Sequence, residues 1–410
     1  MKFTKEEKNW ILYDIGNSAF TMLMTSIMPI YFNYLAESGG LNEVEYMAYW
    51  GYTASIATLI VAFLGPVCGA IADNKGMKKK VFIASLLVGV VGCVSLGFAK
   101  QWLVFLIILL IAKVGYSSSL IFYDSMLGDV TSEEKMDQVS SLGYALGYIG
   151  SCIPFVACLA LVLCSDMIGL TMPQAMTIAF ILTAVWWIVM TVPLLKTYKQ
   201  KYYVEKQGNV VASSFKRLGS TLLNVKKEKK TFLFLLAFFF YIDGVYTIID
   251  MATAYGSALG LDSTGLLIAL LVTQIVAFPF AILFGRLAKK YSTERLIGVC
   301  IVAYFGIAVF AYFLSNQAQF FTLAVLVGMF QGGIQALSRS YFTKIIPAEK
   351  AGEYFGLMDI CGKGASFLGT AVVSGVSQLT GSLNKGVGVI ALFFVVGMIF
   401  FRMSLKAENE

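Results

Sequence analysis

Stretches of twenty or so mostly apolar residues follow one another along almost the whole chain, separated by a few polar positions. A helix needs about 20 such residues to cross the hydrocarbon core of a bilayer, where no water can satisfy an open backbone. A chain built this way is confined to a bundle of membrane-spanning helices. Only 13% of its 410 residues are charged, about half the share usual in a soluble domain. The 14% aromatic content excludes disorder.

The apolar runs predict twelve helices, near 10–36, 47–72, 80–99, 102–127, 138–164, 173–195, 231–258, 264–287, 295–315, 319–345, 352–379 and 386–404. The first run is too long for a cleaved signal peptide and is expected to stay as a helix. Connections are short except 196–230, which divides the chain into 1–195, a basic linker, and 231–410. Lys2, Lys5 and Lys8, then Lys75 and Lys78 to Lys80, the linker lysines, and Arg286, Lys289, Lys290 and Arg295 fall in alternate connections. The positive-inside bias therefore predicts cytoplasmic termini and linker in a multi-pass protein of the cell membrane. The linker has amphipathic stretches and is expected to lie along the membrane face.

Several functions are excluded. The net charge of +7 comes from lysines and arginines between apolar runs, where they meet lipid head groups; no basic domain exists to bind nucleic acid. The chain has no His, which removes His-ligated metals, Ser-His-Asp hydrolysis and a His proton relay. Its seven Cys form no CxxC, and neither a P-loop nor GxSxG occurs. Neither an enzyme, a cofactor nor a metal is expected.

The two halves echo each other. Gly69-Ala70-Ile71-Ala72-Asp73-Asn74-Lys75-Gly76-Met77-Lys78-Lys79 follows helix 2, and Gly285-Arg286-Leu287-Ala288-Lys289-Lys290-Tyr291-Ser292 follows helix 8. Tyr13-Asp14 aligns with Ile242-Asp243, four residues ahead of Ser18 and Thr247. The glycines of 143–150 are echoed at 362–369. A six-plus-six repeat in parallel orientation predicts two bundles related by an axis along the membrane normal.

The loop Gly69-x-x-x-Asp73-x-x-Gly76-x-Lys78-Lys79 resembles the signature of the major facilitator superfamily, in the position that superfamily gives it. Tyr13-Asp14-Ile15-Gly16-Asn17-Ser18-Ala19-Phe20 and Gly332-Gly333-Ile334-Gln335-Ala336-Leu337-Ser338-Arg339-Ser340 resemble helix 1 and helix 10 motifs of one branch. That branch holds the fungal vacuolar amino-acid effluxers linked to autophagy and their bacterial relatives. The resemblance implies a transporter with helices 1, 4, 7 and 10 around a central cavity. It also implies that the loop after helix 2 docks on a neighbouring helix when the cytoplasmic side closes. The second half departs from the pattern at Lys289 and Ser292, where Asp and Gly would stand, so a symmetric gate after helix 8 is not implied.

A charge at bilayer depth costs about 2.5–3.5 kcal/mol and should face a cavity or a partner. Lys113, Asp243, Asp359 and Lys363 are placed near the midplane, with Asp359 and Lys363 at i, i+4 spacing that suits a local pair. Asp14, Asp124, Arg339, Glu353 and Asp73 lie nearer the cytoplasm. The expected solute contacts are Asp14, Asn17, Lys113, Asp243, Tyr246, Gln331 and Gln335, with Lys113 on a carboxylate and Asp243 on an ammonium. Asp243, Asp359 and Lys363 are the expected coupling groups. Gly69, Asp73, Gly76, Lys78, Lys79, Asp124 and Arg339 are the expected gate. The partners expected are a small polar or zwitterionic solute, protons and membrane lipids, with the chain as a monomer. An exporter of lipophilic or cationic compounds, or a lipid flippase, is the alternative on the same fold.

Overall fold

The computed structural model describes residues 3–205, 210–224, 228–258 and 260–407. Its long helices are α1 (Lys5–Ser38), α2 (Glu43–Ala72), α3 (Lys78–Leu96), α4 (Trp102–Ser125), α5 (Glu133–Leu163) and α6 (Met172–Thr197), then α7 (Lys229–Ala258), α8 (Ser263–Leu287), α9 (Thr293–Tyr312), α10 (Gln317–Ile345) and α11 (Ala351–Thr380). The last, α12, runs in two pieces, Leu383–Gly388 and Ile390–Lys406. Among the described residues eleven helices are long and apolar enough to cross a membrane; α11, of similar length, packs between α2 and α7.

Several helices start before the apolar runs do. Thr4 and Glu7 close a capping box at the head of α1, and Asn42 and Glu45 do the same for α2. These boxes satisfy the first free amides, so polar turns become helical beyond the apolar stretch. Helix α5 likewise begins five residues ahead of its expected start at 138, with Glu133 and Glu134 in its first turn.

The helices form two bundles of six. In the first, α1 packs on α5 and α6, and α3 on α4; in the second, α7 packs on α12 and α11, and α10 on α8 and α9. The bundles meet where α2 runs along α11 and where α5 runs along α8 and α10. Glycine permits the close approaches. Gly143, Gly147 and Gly150 of α5 face Asp14, Ser18 and Ile15 of α1, and Gly369 of α11 faces Asp243 and Thr247 of α7.

Each bundle ties its first helix to its fourth through one pair of hydroxyls. Tyr13 and Ser119 lie 2.6 Å apart, and Tyr241 and Ser338 lie 2.7 Å apart. Tyr13 thus corresponds to Tyr241, and Ile15, which packs on Gly150, corresponds to Asp243, which packs on Gly369. This corrects the alignment of Asp14 with Asp243 by one residue. A one-residue slip turns a helical side chain by about 100°, so the two acids face different surroundings.

The linker is fastened to the first bundle. Val204 exchanges backbone bonds with the loop after α2: its amide donates to Asp73 O at 2.8 Å, and the Lys75 amide donates to Val204 O at 3.1 Å. A short helix, Val210–Asn224, buries Ser214, Leu218 and Thr221, and Asn74 donates to Ser214 at 3.0 Å. Its docking site is the end of α2. The face of the protein carrying the termini and this linker is called the linker face below.

Candidate functional site

Three polar contacts join the bundles toward the linker face. The first centres on Arg339 of α10, whose side chain is 4% exposed. Its guanidinium donates to Asp124 of α4 at 2.9 Å, to Asp14 of α1 at 3.3 Å, and to the Ser140 hydroxyl and carbonyl of α5 at 2.9 and 3.0 Å. The rings of Tyr144, Trp10 and Tyr123 surround it, with centroids 4.3, 4.7 and 5.5 Å away. A planar fork with five donors can satisfy two carboxylates and a carbonyl at once, and its faces stack on aromatic rings. One residue of the second bundle therefore plugs a pocket made entirely by the first.

The second contact uses the signature loop. Asp73 caps α2 and is fully buried. Its carboxylate accepts the amides of Gly352 and Glu353 at 2.8 and 2.9 Å, the free first turn of α11. Burial lifts its carboxyl to about 6, against the opposing pull of Lys78 and the two amides. Helices α2 and α11 cross here at glycines: a methyl on Gly352 would sit 2.7 Å from Gly69 O, and one on Gly356 would sit 2.6 Å from Pro66 Cα. Lys78, also buried, lies 3.9 Å from Asp73 and 3.3 Å from Asp129, which in turn accepts the Lys201 and Tyr202 amides at 2.9 and 3.0 Å. Gly76 holds a φ of +69°, a left-handed turn that glycine adopts without strain. Lys79 is half-buried at the start of α3.

The third contact escaped the sequence reading. Asp137 in the first turns of α5 takes Lys344 of α10 at 2.6 Å and the hydroxyls of Ser340 and, at 2.9 Å, Thr293 of α9. Asp137 sits in the mostly polar stretch 133–137, which the apolar pattern leaves outside the helix. Its position one turn before Ser140 on the same helix face is visible only once α5 is known to begin at Glu133.

Deeper in the protein the expected solute and coupling groups separate. Asp14 is engaged by Arg339 and by Asn17, which donates to it at 3.4 Å and to Tyr13 O at 3.0 Å. Both side chains are thus engaged within the protein in this conformation, Asp14 in the contact between the bundles. Asp243 is fully buried about 21 Å along α7. One of its oxygens accepts the Gly369 amide at 3.0 Å and the Thr247 hydroxyl at 3.1 Å; the other has no hydrogen-bond partner among the described residues. The carboxyl is enclosed between α7 and α11 in this conformation.

Lys113, Tyr246 and Gln335 are half-buried, and Gln331 is buried. Tyr148 of α5 donates to Gln335 of α10 at 2.9 Å, a contact between bundles at mid-depth. Asp359 is half-buried within electrostatic reach of Tyr116, Asp124 and Tyr246. Its expected pairing with Lys363 involves a side chain outside the described residues. Tyr116, whose hydroxyl meets that of Thr21, and Tyr148 were not singled out from sequence, because isolated tyrosines in apolar helices carry no pattern.

Comparison with known proteins agrees with this architecture. The family described as "Vacuole effluxer Atg22 like" matches residues 3–409. The chain is 43% identical to an uncharacterized MFS-type transporter, YxiO, of Bacillus subtilis (strain 168), over 97% of this chain and 94% of that one. It is 21% identical to autophagy-related protein 22 of Eremothecium gossypii, covering 96% of this chain and 89% of that one. Among solved structures, the major facilitator transporter FucP in the outward conformation aligns with a TM-score of 0.71 at 14% identity, covering 98% of each chain. The human organic anion transporter MFSD10 aligns with a TM-score of 0.73 at 11% identity, covering 98% of this chain and all of that one. A multi-pass, all-helical chain of two six-helix bundles, matched to the family model over nearly its full length, belongs to the Atg22-like vacuole effluxer family of major-facilitator-type transporters.

Proposed function

We propose that this protein is a secondary active transporter that carries a small, amino-acid-like zwitterion across the cytoplasmic membrane by alternating access, coupled to protons. It works as a monomer with the linker face toward the cytoplasm. The observation that supports this reading best is the nature of the contacts between bundles at that face. Arg339 with Asp14 and Asp124, Asp73 with the head of α11, and Asp137 with Lys344 are all polar. Such groups exchange one another for water at a small net free-energy difference. The closed face can therefore part without exposing a continuous apolar surface, as a gate must and a permanent interface need not.

Lys113 and Asp359 supply unlike charges at mid-depth. In this proposal Lys113 holds the carboxylate of the solute and Asp359, beside Tyr116 and Tyr246, holds its ammonium. Gln331 and Gln335 give neutral hydrogen bonds. Asp243 is assigned the proton rather than the solute, because one of its oxygens is held by Gly369 and Thr247 and the other has room for a hydrogen. In a chain without His, carboxyls are the available proton carriers.

The test is uptake of radiolabelled amino acids into liposomes containing the purified protein, with and without an acid gradient. Saturable uptake stimulated by the gradient is expected. Absence of flux for every amino acid, with the protein folded, removes the solute class; flux indifferent to the gradient removes the coupling. Thermal stabilisation by hydrophobic cations and not by amino acids would favour a lipophilic exporter.

A further inference from the structure

A groove of about 700 Å³ opens at the linker face on the outside of the second bundle, between the ends of α7, α9 and α12. That volume lies within the range of small-molecule sites, roughly 300–1,000 Å³. Its rim carries Lys230, Arg295 and Arg402 against one acid, Glu294. Arg295 and Arg402 are exposed, and among the described residues neither has a carboxylate at ion-pair distance. Below the rim the wall is apolar and outward-facing: Val299 and Val302 are 53% and 61% exposed. Gly298 adds an open notch, since a methyl there would touch nothing.

The inner wall supplies a second, independent observation. Tyr341 is 2% exposed, and its hydroxyl has no hydrogen-bond partner among the described residues. A buried hydroxyl left unsatisfied is costly, and here it belongs to a side chain that lines the groove. Positive charge at a membrane face, apolar wall beneath it and an unused hydroxyl behind it together describe an amphiphile with an anionic head. A soluble anion would leave the valine wall without a role, and a neutral lipid would leave the arginines without one. Basic pockets between helices at this depth suit acidic head groups.

We propose that this groove binds one anionic phospholipid of the adjacent leaflet, with Arg295 and Arg402 on its phosphate and its acyl chains along Val299 and Val302. The site lies away from the central layer and does not depend on the solute proposed above.

Binding of dioctanoyl phosphatidylglycerol to the purified full chain tests this, by titration in detergent. Saturable binding is expected, with dioctanoyl phosphatidylcholine and glycerol 1-phosphate each at least about tenfold weaker. Arg295→Gln with Arg402→Gln should weaken phosphatidylglycerol binding about thirtyfold, because each basic residue near an anionic lipid contributes close to fivefold. Both side chains are exposed, so the variant should melt as the parent does. Lys289→Gln with Lys290→Gln, exposed at the same face, should change binding less than about twofold. Unchanged binding in the arginine variant, equal loss in the lysine variant, or equal affinity for glycerol 1-phosphate would each overturn the proposal.

Discussion

Closure of the linker face depends on two helix backbones touching, and a single methyl group should prevent it. In Gly69→Ala the added carbon would abut the Gly352 carbonyl, lying 2.6 Å from its carbon and 3.0 Å from the Glu353 nitrogen. Ordinary contact at such a carbon begins near 3.4 Å. The obstacle is backbone inside a helix and cannot rotate away, so α2 and α11 must separate by about 1 Å. Asp73 then loses its bonds to the Gly352 and Glu353 amides, now 2.8 and 2.9 Å long. Hydrogen bonds to a charged group contribute about 1.5–3 kcal/mol each. Loss of both should shift the closed-to-open ratio by two orders of magnitude or more. The variant should stay folded, because the clash exists only between bundles. Spin-label distances between the linker-face ends of α2 and α11 would read the shift, with Gly51→Ala, which meets nothing, as the control. A closed population equal to that of the parent would refute the reasoning.

Three further outcomes follow from the same geometry. Asp243→Asn should lower gradient-driven uptake by about an order of magnitude while solute exchange without a gradient persists; equal loss of both would make Asp243 a structural residue. Arg339→Lys keeps the charge but cannot bridge Asp14, Asp124 and Ser140 together, so the protein should lose at least one charged hydrogen bond, about 1.5–3 kcal/mol, seen as a lower Tm. The Asp73 carboxyl has its affinity for protons raised to about 6 in the closed state, from an ordinary value of 3.8. The closed state therefore holds the proton more tightly, and acid favours closure: the effect is complete below about pH 4 and lost as pH rises through 6. The closed fraction should rise on acidification from pH 7 to 4, with Asp73 contributing at most about tenfold per unit, and Asp73→Asn should make the dependence shallower.

Twelve spans, two bundles and the signature loop were legible in the chain because a bilayer punishes any other arrangement of such apolar runs. What could not be read is where those helices touch. Asp73 was expected to dock on a neighbouring helix; that its partners are the two free amides at the head of α11 depends on Gly69 and Gly352 meeting, which needs three dimensions. Asp137 was missed because it lies in a polar turn ahead of the apolar pattern that locates its helix, which left Lys344, in the last turn of the predicted tenth helix, without a visible partner. The alignment of Asp14 with Asp243 went wrong by one residue because apolar helices offer few distinct side chains to fix the register. The paired hydroxyls of Tyr13 with Ser119 and Tyr241 with Ser338 fix it instead.

The attachment of Val204 to the loop after α2 makes Asp73 a junction. Its carbonyl holds the linker, and three bonds away its carboxylate holds the head of α11. The tether between the bundles is thus not slack rope from end to end: its stretch through Glu205 and the helix Val210–Asn224 are both held on the first bundle. A force or a binding protein that lifts residues 200–205 would pull on the same residue that holds the head of α11. The segment that merely connects the halves in sequence is mechanically a handle on the contact between them.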